Sequence, residues 1–162
     1  MYISNSTYEL LNEFIRKCFQ ANSYCDNLTY NMSSLNMINT EPVFHEKFAH
    51  MFPAFADIIS GVMTQLDRRP VRQSLNSDVE EYDNFKLIFE DLKKYIDQYR
   101  DDIIGVIESA DLNGDIEIKI TMEKFLSDFT KYLHQVNVWY KKSKEYDSIE
   151  DFDQDFHSFT FI

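Results

Sequence analysis

Residues 43–70, VFHEKFAHMFPAFADIISGVMTQLDRRP, decide the fold class, because their apolar side chains recur every three or four residues. This is the spacing of one face of an α-helix. The predicted apolar face comprises Phe44, Phe48, Met51, Phe55, Ile58, Ile59, Val62 and Leu66. Pro53 lies within it, and a proline inside a helix removes one backbone hydrogen bond. We therefore expect one long amphipathic helix with a kink at Pro53.

A first helix is predicted before this stretch and a third helix after it. Ser6 and Glu9 have the spacing of a capping box, so the first helix should begin after Ser6 and end within residues 34–39. The third helix should follow Asp83 and end at the turn signal Asn113-Gly114. Residues 70–83 then form a crossover between the second and third helices, with one short helical turn.

A fourth helix is predicted over residues 116–143. Residues 115–120, DIEIKI, alternate like a β-strand, but a lone strand has nothing to pair with in a helical chain. The sequence thus predicts an all-α four-helix bundle over residues 1–143. Its predicted core comprises Leu11, Phe48, Phe55, Val62, Leu92, Ile96, Phe125, Phe129 and Leu133.

Residues 144–162 form an acidic, aromatic C-terminal tail. Six acidic residues and one lysine would by themselves favour disorder, but five large apolar residues indicate docking on another surface. These are Phe152, Phe156, Phe159, Phe161 and Ile162. Together with Trp139, Tyr140 and Tyr146 they exceed what one slender bundle buries. This surplus predicts an apolar patch that supports self-assembly.

The formal net charge of −12 disfavours nucleic acids and anionic membrane surfaces as partners. The only basic cluster, Arg68, Arg69 and Arg72, suits the negative end of a helix. No run approaches the roughly 20 apolar residues of a membrane span. The first residues lack a signal-peptide pattern, so a cytoplasmic protein is expected.

Cys18 and Cys25 are the only cysteines. Seven residues of helix separate them by roughly 10 Å, which is beyond the reach of a disulfide. We expect two reduced, small apolar residues that face the core.

The chain resembles the Dps-type mini-ferritins over about residues 8–142. Phe44-His45 followed by Phe48 matches the family's histidine ligand, which follows a large apolar residue near the start of the second helix. The resemblance implies a ferritin-like four-helix bundle with its crossover between helices 2 and 3. It also implies a hollow homo-oligomeric shell, with a dodecamer expected, and iron as the bound metal. The implied roles are iron storage and protection against oxidative stress.

Most of the iron ligands that this resemblance implies are replaced. Ala49 stands where the family has an aspartate four residues after the histidine, Ser60 where it has a second aspartate, and Thr64 where it has a glutamate. No histidine precedes His45. Because iron oxidation needs carboxylate and imidazole ligands, we expect a shell protein without normal ferroxidase activity, and therefore not an enzyme.

Three residues remain as candidate metal ligands: His45, Glu46 and His50. Glu46 and His50 are four residues apart on one helix face, which lets them hold one metal ion. An alternative function is an active mini-ferritin that oxidises Fe²⁺ with relocated ligands such as His50 and Asp57.

A less favoured alternative is a calcium-binding helical protein. Oxygen donors alternate in the segment DLNGDIE, at Asp111, Asn113, Asp115 and Glu117. An EF-hand loop, however, has glycine at its sixth position and glutamate at its twelfth. Counted from Asp111, those positions hold Ile116 and Met122. A turn between two helices is the favoured interpretation.

Overall fold

The computed structural model describes residues 1–77 and 80–162, and all regular structure in these ranges is helical. The helices are α1 (Asn5–Ser34), α2 (Thr40–Phe44), α3 (Met51–Gln65), α4 (Phe85–Asn113), α5 (Ile116–Glu145) and α6 (Ile149–Asp155). A π-helical segment, His45–Ala49, joins α2 to α3, and a short 3₁₀ helix, Phe156–Phe159, follows α6. The prediction of an all-α bundle is confirmed, and residues 116–120 lie in the first turns of α5.

Side-chain contacts fix the directions of the long helices. Thr7 meets Ser109 with 3.0 Å between their hydroxyl oxygens, whereas the ring of Tyr24 stacks on that of Tyr95, so α1 and α4 are antiparallel. The contact between Arg68 and the backbone of Ile3 likewise places the end of α3 beside the start of α1. Since both α3 and α4 oppose α1, they run in the same direction.

The helix ends follow local hydrogen bonding. Ser4, rather than the predicted Ser6, caps α1, because its hydroxyl accepts the Thr7 N–H at 3.3 Å. Asn84 caps α4 by accepting the Lys86 N–H at 2.9 Å. Gly114 has φ of 72°, a left-handed conformation that glycine adopts without strain. It ends α4 at the turn that the sequence predicts.

Residues 66–77 and 80–84 return along α1 in a non-helical conformation, and polar side chains of α1 supply several of their hydrogen bonds. The Asn12 side chain accepts the Val71 N–H at 2.8 Å, and the Asn31 side chain accepts the Tyr82 N–H at 2.7 Å. Gln20 both accepts from and donates to the backbone of Asn76. The short helical turn predicted for residues 70–83 is not found in the described part of this segment, because these contacts satisfy its backbone without one.

The predicted core is confirmed at six positions and is half-buried at three others. Leu11, Phe48, Leu92, Ile96, Phe125 and Phe129 are buried, whereas Phe55, Val62 and Leu133 are partly exposed. Ile58, which the spacing predicts on the apolar face of the second helix, is 53% exposed. The reason is the π-helical segment, which inserts one residue into the helical spacing. The buried residues of α3 are Met51, Phe52, Ala56, Ile59 and Met63, so Met51 and Ile59 are buried as predicted, whereas Phe52, Ala56 and Met63 each follow a predicted position by one residue.

The C-terminal tail packs against its own bundle. Phe152, Phe156 and Phe159 are buried, and the ring of Phe156 stacks on Trp139 with centroids 5.4 Å apart. Phe161 alone among the tail phenylalanines is largely exposed. Most of the apolar side chains of the tail are therefore buried within the chain itself. The inference that they form an exposed patch for self-assembly was wrong.

Within residues 1–77 and 80–162, no helix combines the length and the apolar character needed to cross a membrane.

Candidate functional site

The π-helical segment lies one turn before Pro53 and arises from the missing proline N–H. In a regular helix, the N–H of residue 53 would bind the carbonyl of Ala49, but proline has no N–H. The side-chain amide of Asn22, on α1, donates to that carbonyl at 2.9 Å instead. The helical irregularity near Pro53 is a π-helical segment that ends four residues earlier.

The π-helical segment brings two histidines together. In a π-helix the backbone hydrogen bond joins residues five apart, and His45 and His50 have this spacing. Their ring centroids lie 4.5 Å apart, with the planes inclined by 66°. The prediction that Glu46 shares a face with His50 assumed regular α-helical spacing. Here Glu46 is exposed, and His45 is the residue whose ring contacts His50.

A carboxylate from a different helix faces the same histidine. Asp26 Oδ1, on α1, lies 3.6 Å from His45 Nε2. That distance exceeds the usual range of a hydrogen bond between nitrogen and oxygen. Within the described part of the chain, Asp26 Oδ1 is buried and has no hydrogen-bond partner. Sequence reasoning missed Asp26, because nothing in the local sequence indicates which residue of α1 will face His45.

The residues that replace the expected iron ligands do not fit a di-iron centre. Ala49 is buried and carries no donor side chain. The hydroxyls of Ser60 and Thr64 donate to backbone carbonyls of their own helix, at 3.1 and 2.9 Å. As positioned, the described residues contain no group of three or more His, Cys, Asp or Glu side chains that holds a metal ion. Asp26 and His45 form an ion pair at 3.6 Å.

The alternating oxygen donors at the turn between α4 and α5 are engaged in structural contacts. Asp111 pairs with Lys119 at 2.9 Å, and the Asn113 amide donates to the Ser109 carbonyl at 2.8 Å. Asp115 is buried and accepts from the N–H and hydroxyl of Ser4, at 2.9 and 2.7 Å. The segment is therefore a helix-to-helix turn, as favoured from the sequence, and its oxygens do not converge on one point.

The basic cluster fastens the returning segment to α1. The guanidinium of Arg68 lies over the ring of Tyr8 at 3.8 Å, and that of Arg72 over Phe19 at 3.4 Å. A guanidinium over an aromatic ring is attracted electrostatically to the ring face, and the aliphatic part of the arginine side chain packs against the neighbouring surface. These two arginines are used in tertiary packing.

The cysteines are reduced and buried, as the sequence predicts. Cys18 Sγ lies 3.2 Å from Tyr99 Oη. Burial raises the pKa of the Cys18 thiol to about 12, an effect that the hydrogen bond with Tyr99 only partly offsets. A thiol in this state is a poor nucleophile, so Cys18 serves packing rather than chemistry.

No family model matches the sequence, and no curated protein matches it.

Proposed function

We propose that this chain is a Dps-like, ferritin-family shell protein that binds iron or protects against oxidative stress without normal ferroxidase activity. The observation that carries this proposal is the path of the chain. Helices α3 and α4 both run antiparallel to α1, and residues 66–77 and 80–84 return along α1 between them. A bundle with one long crossover is the ferritin-like arrangement.

The negative net charge of the chain supports a cation as the bound species. The net charge of −12 is repeated in every subunit of an assembly, which raises the local concentration of cations and repels nucleic acids. A chain with this charge should not bind duplex DNA at physiological salt. A gel shift that persists above roughly 0.1 M salt would contradict this part of the proposal.

Self-assembly is supported by apolar side chains that the fold leaves in solvent. Leu112, Ile116 and Ile120 are 86%, 53% and 61% exposed, and all three lie at the turn between α4 and α5. Neighbouring exposed apolar residues of this kind are typical of interaction surfaces. Because the tail is used inside the chain, this patch is the better candidate for a contact between subunits.

Light scattering tests the assembly. We expect a homo-oligomer, with a dodecamer as the predicted size, and a smaller species for the double variant Ile116→Glu/Ile120→Glu. Lys124→Glu, at an exposed position of the same helix, is the control and should leave the assembly unchanged. A stable monomer for the unmodified chain at micromolar concentration would refute the shell.

Stopped-flow absorbance after mixing with Fe²⁺ and peroxide tests the absence of ferroxidase activity. We expect slow oxidation that does not saturate, because Ala49, Ser60 and Thr64 supply no carboxylates. Rapid, saturable oxidation of two irons per site would instead support the alternative, an active mini-ferritin with relocated ligands.

The contact between His45 and His50 favours that alternative. Asp57 weakens it, because seven residues of helix place it roughly 10 Å from His50.

A further inference from the structure

We propose that residues 147–162 are bound to their own bundle as an exchangeable peptide, and that the groove holding them also accepts the same segment of a second copy of this chain. The groove is lined by Gln135 and Trp139 of α5 and by the backbone of Asn39 and Thr40. The proposal rests on neither iron nor a shell, because it concerns only the contacts between the tail and the bundle.

The polar part of the groove binds the backbone of the tail. Gln135 is buried, and its side-chain amide donates to the Phe159 carbonyl at 2.9 Å, while its side-chain oxygen accepts the Phe161 N–H at 2.6 Å. Thr160, between these two residues, has φ of −118° and ψ of 120°, the angles of a parallel β-strand. One glutamine side chain thus pairs with the tail as the backbone of a neighbouring strand would. Main-chain hydrogen bonds of this kind give affinity for extended peptides.

The rest of the groove binds side chains of the tail. The indole N–H of Trp139 donates to the Thr160 hydroxyl at 3.0 Å. The ring of Phe152 packs against two rings of α4, those of Phe85 and Phe89, with centroids 5.0 and 5.1 Å apart. These contacts select an extended peptide with aromatic residues at the spacing of this tail. The second copy is therefore the partner that fits the groove.

The connection between α5 and α6 is a hinge for the exchange. It comprises Tyr146, Asp147 and Ser148, and both Tyr146 and Ser148 have extended backbone angles that any residue adopts. Exchange of an identical element through a short hinge is a low-cost route to dimers. The tail of a second copy regains every groove contact described above. Only the cost of bringing two chains together is added, so the exchanged form should increase with protein concentration.

Fluorescence anisotropy of a labelled synthetic peptide of residues 147–162, added to the full-length chain, tests the groove. In the unmodified protein the chain's own tail occupies the groove and raises the apparent Kd of the peptide. Asp153 accepts the N–H groups of Asn39 and Thr40 at 3.1 and 2.8 Å, so Asp153→Ala loosens the tail and leaves the groove unchanged. We expect the Kd of the peptide to be at least about tenfold lower for Asp153→Ala, which corresponds to about 1.4 kcal/mol of lost tail docking.

Two further variants separate the tail from the groove. Gln135→Ala, added to Asp153→Ala, damages the groove itself and should raise the Kd again by at least about tenfold. Gln154→Ala, at an exposed position of the tail, is the matched control and should bind the peptide as weakly as the unmodified chain. Far-UV circular dichroism checks that each variant is folded. A folded Asp153→Ala variant that binds the peptide no more tightly than the unmodified chain would overturn the proposal, as would tight binding that Gln135→Ala does not weaken.

Sedimentation velocity at increasing protein concentration tests the exchange without any substitution in the tail or the groove. The chain carries Ile116→Glu/Ile120→Glu, so that the exposed patch proposed as the subunit contact does not contribute. We expect a dimer that increases with concentration and decreases when Gly-Ser-Gly-Ser is inserted after Asp147, because a longer connection favours the closed chain. A monomer at every concentration, or a dimer that the insertion does not reduce, would refute the exchange and leave the proposed shell untouched.

Discussion

The side-chain amide of Asn22 donates a 2.9 Å hydrogen bond to the backbone carbonyl of Ala49. Pro53 cannot bind that carbonyl from its own helix, so a neighbouring helix does so. Ala49 is completely buried, and water cannot take the place of the amide. One asparagine on α1 therefore makes the proline tolerable and, through the π-helical segment beside it, positions His45 against His50.

The first prediction concerns this relationship. Asn22→Ala leaves a buried carbonyl unpaired and should lower the free energy of unfolding by about 1–3 kcal/mol. Urea denaturation measures the change. In a Pro53→Ala background, residue 53 regains an N–H, so Asn22→Ala should cost at least about 1 kcal/mol less there. Equal costs in the two backgrounds would show that the two residues are not coupled.

The second prediction concerns the attachment of the tail. Asp153 is buried and accepts the backbone N–H groups of Asn39 and Thr40 and the Thr40 hydroxyl, all within 3.1 Å. Asp153→Ala should therefore lower the free energy of unfolding by about 2–3 kcal/mol. Gln154→Ala, at the next and exposed position, should change it by no more than about 0.5 kcal/mol. Similar losses for the two variants, measured by thermal or urea denaturation, would argue against a specific anchor.

The third prediction is a pH dependence centred on Asp115. Burial raises the pKa of this carboxyl, but hydrogen bonds from Thr7 and Ser4 outweigh it and hold the pKa below the ordinary 3.8. The charged form thus stabilises the fold above pH 3.8, and this stabilisation is lost as the pH falls through the lowered pKa.

Asp115→Asn should accordingly cost about 1.5–3 kcal/mol at pH 7. The difference from the unmodified protein should shrink below pH 3.8. Urea denaturation at pH 7 and near pH 3 measures it. Asp111→Asn, which removes only an exposed ion pair, should cost less than about 1 kcal/mol at either pH. A difference for Asp115→Asn that is the same at both pH values would contradict the assignment.

The fourth prediction concerns the thiols. With a pKa of about 12, only about one Cys18 thiol in ten thousand is ionised at pH 8, and the residue is fully buried. Cys18 and Cys25 should therefore react with a disulfide reagent only after unfolding. Ser33→Cys places a thiol at an exposed position of the same helix and should react within minutes as the control. Fast labelling of both native cysteines would show that α1 opens readily.

The sequence by itself determined the class of fold, because periodicity over several turns reports burial directly. The spacing of apolar residues predicted four long helices, and the turn at Gly114 and the buried positions Leu92, Ile96 and Phe129 followed from it. These features depend on residues close together in the chain, where helical geometry sets which side chains share a face.

Only the tertiary structure decided the register beyond Phe48 and the composition of the candidate site. The π-helical segment moved the buried face by one residue and exposed Ile58, and its cause is partly an amide on another helix. Asp26 meets His45 because α1 packs beside that segment. Contacts of this kind join residues that are distant in the chain, so no local pattern records them.

The tail shows the same division. Its phenylalanines predict docking, whereas nothing in the sequence distinguishes Asp153 from the other five acids of the tail. The fold placed that carboxylate over the first N–H groups of α2 and buried Phe156 against Trp139. The sequence determined that this segment must bury apolar surface. Which surface the tail covers depends on where the other helices leave aromatic side chains such as Trp139 uncovered. This is decided only when the helices pack together.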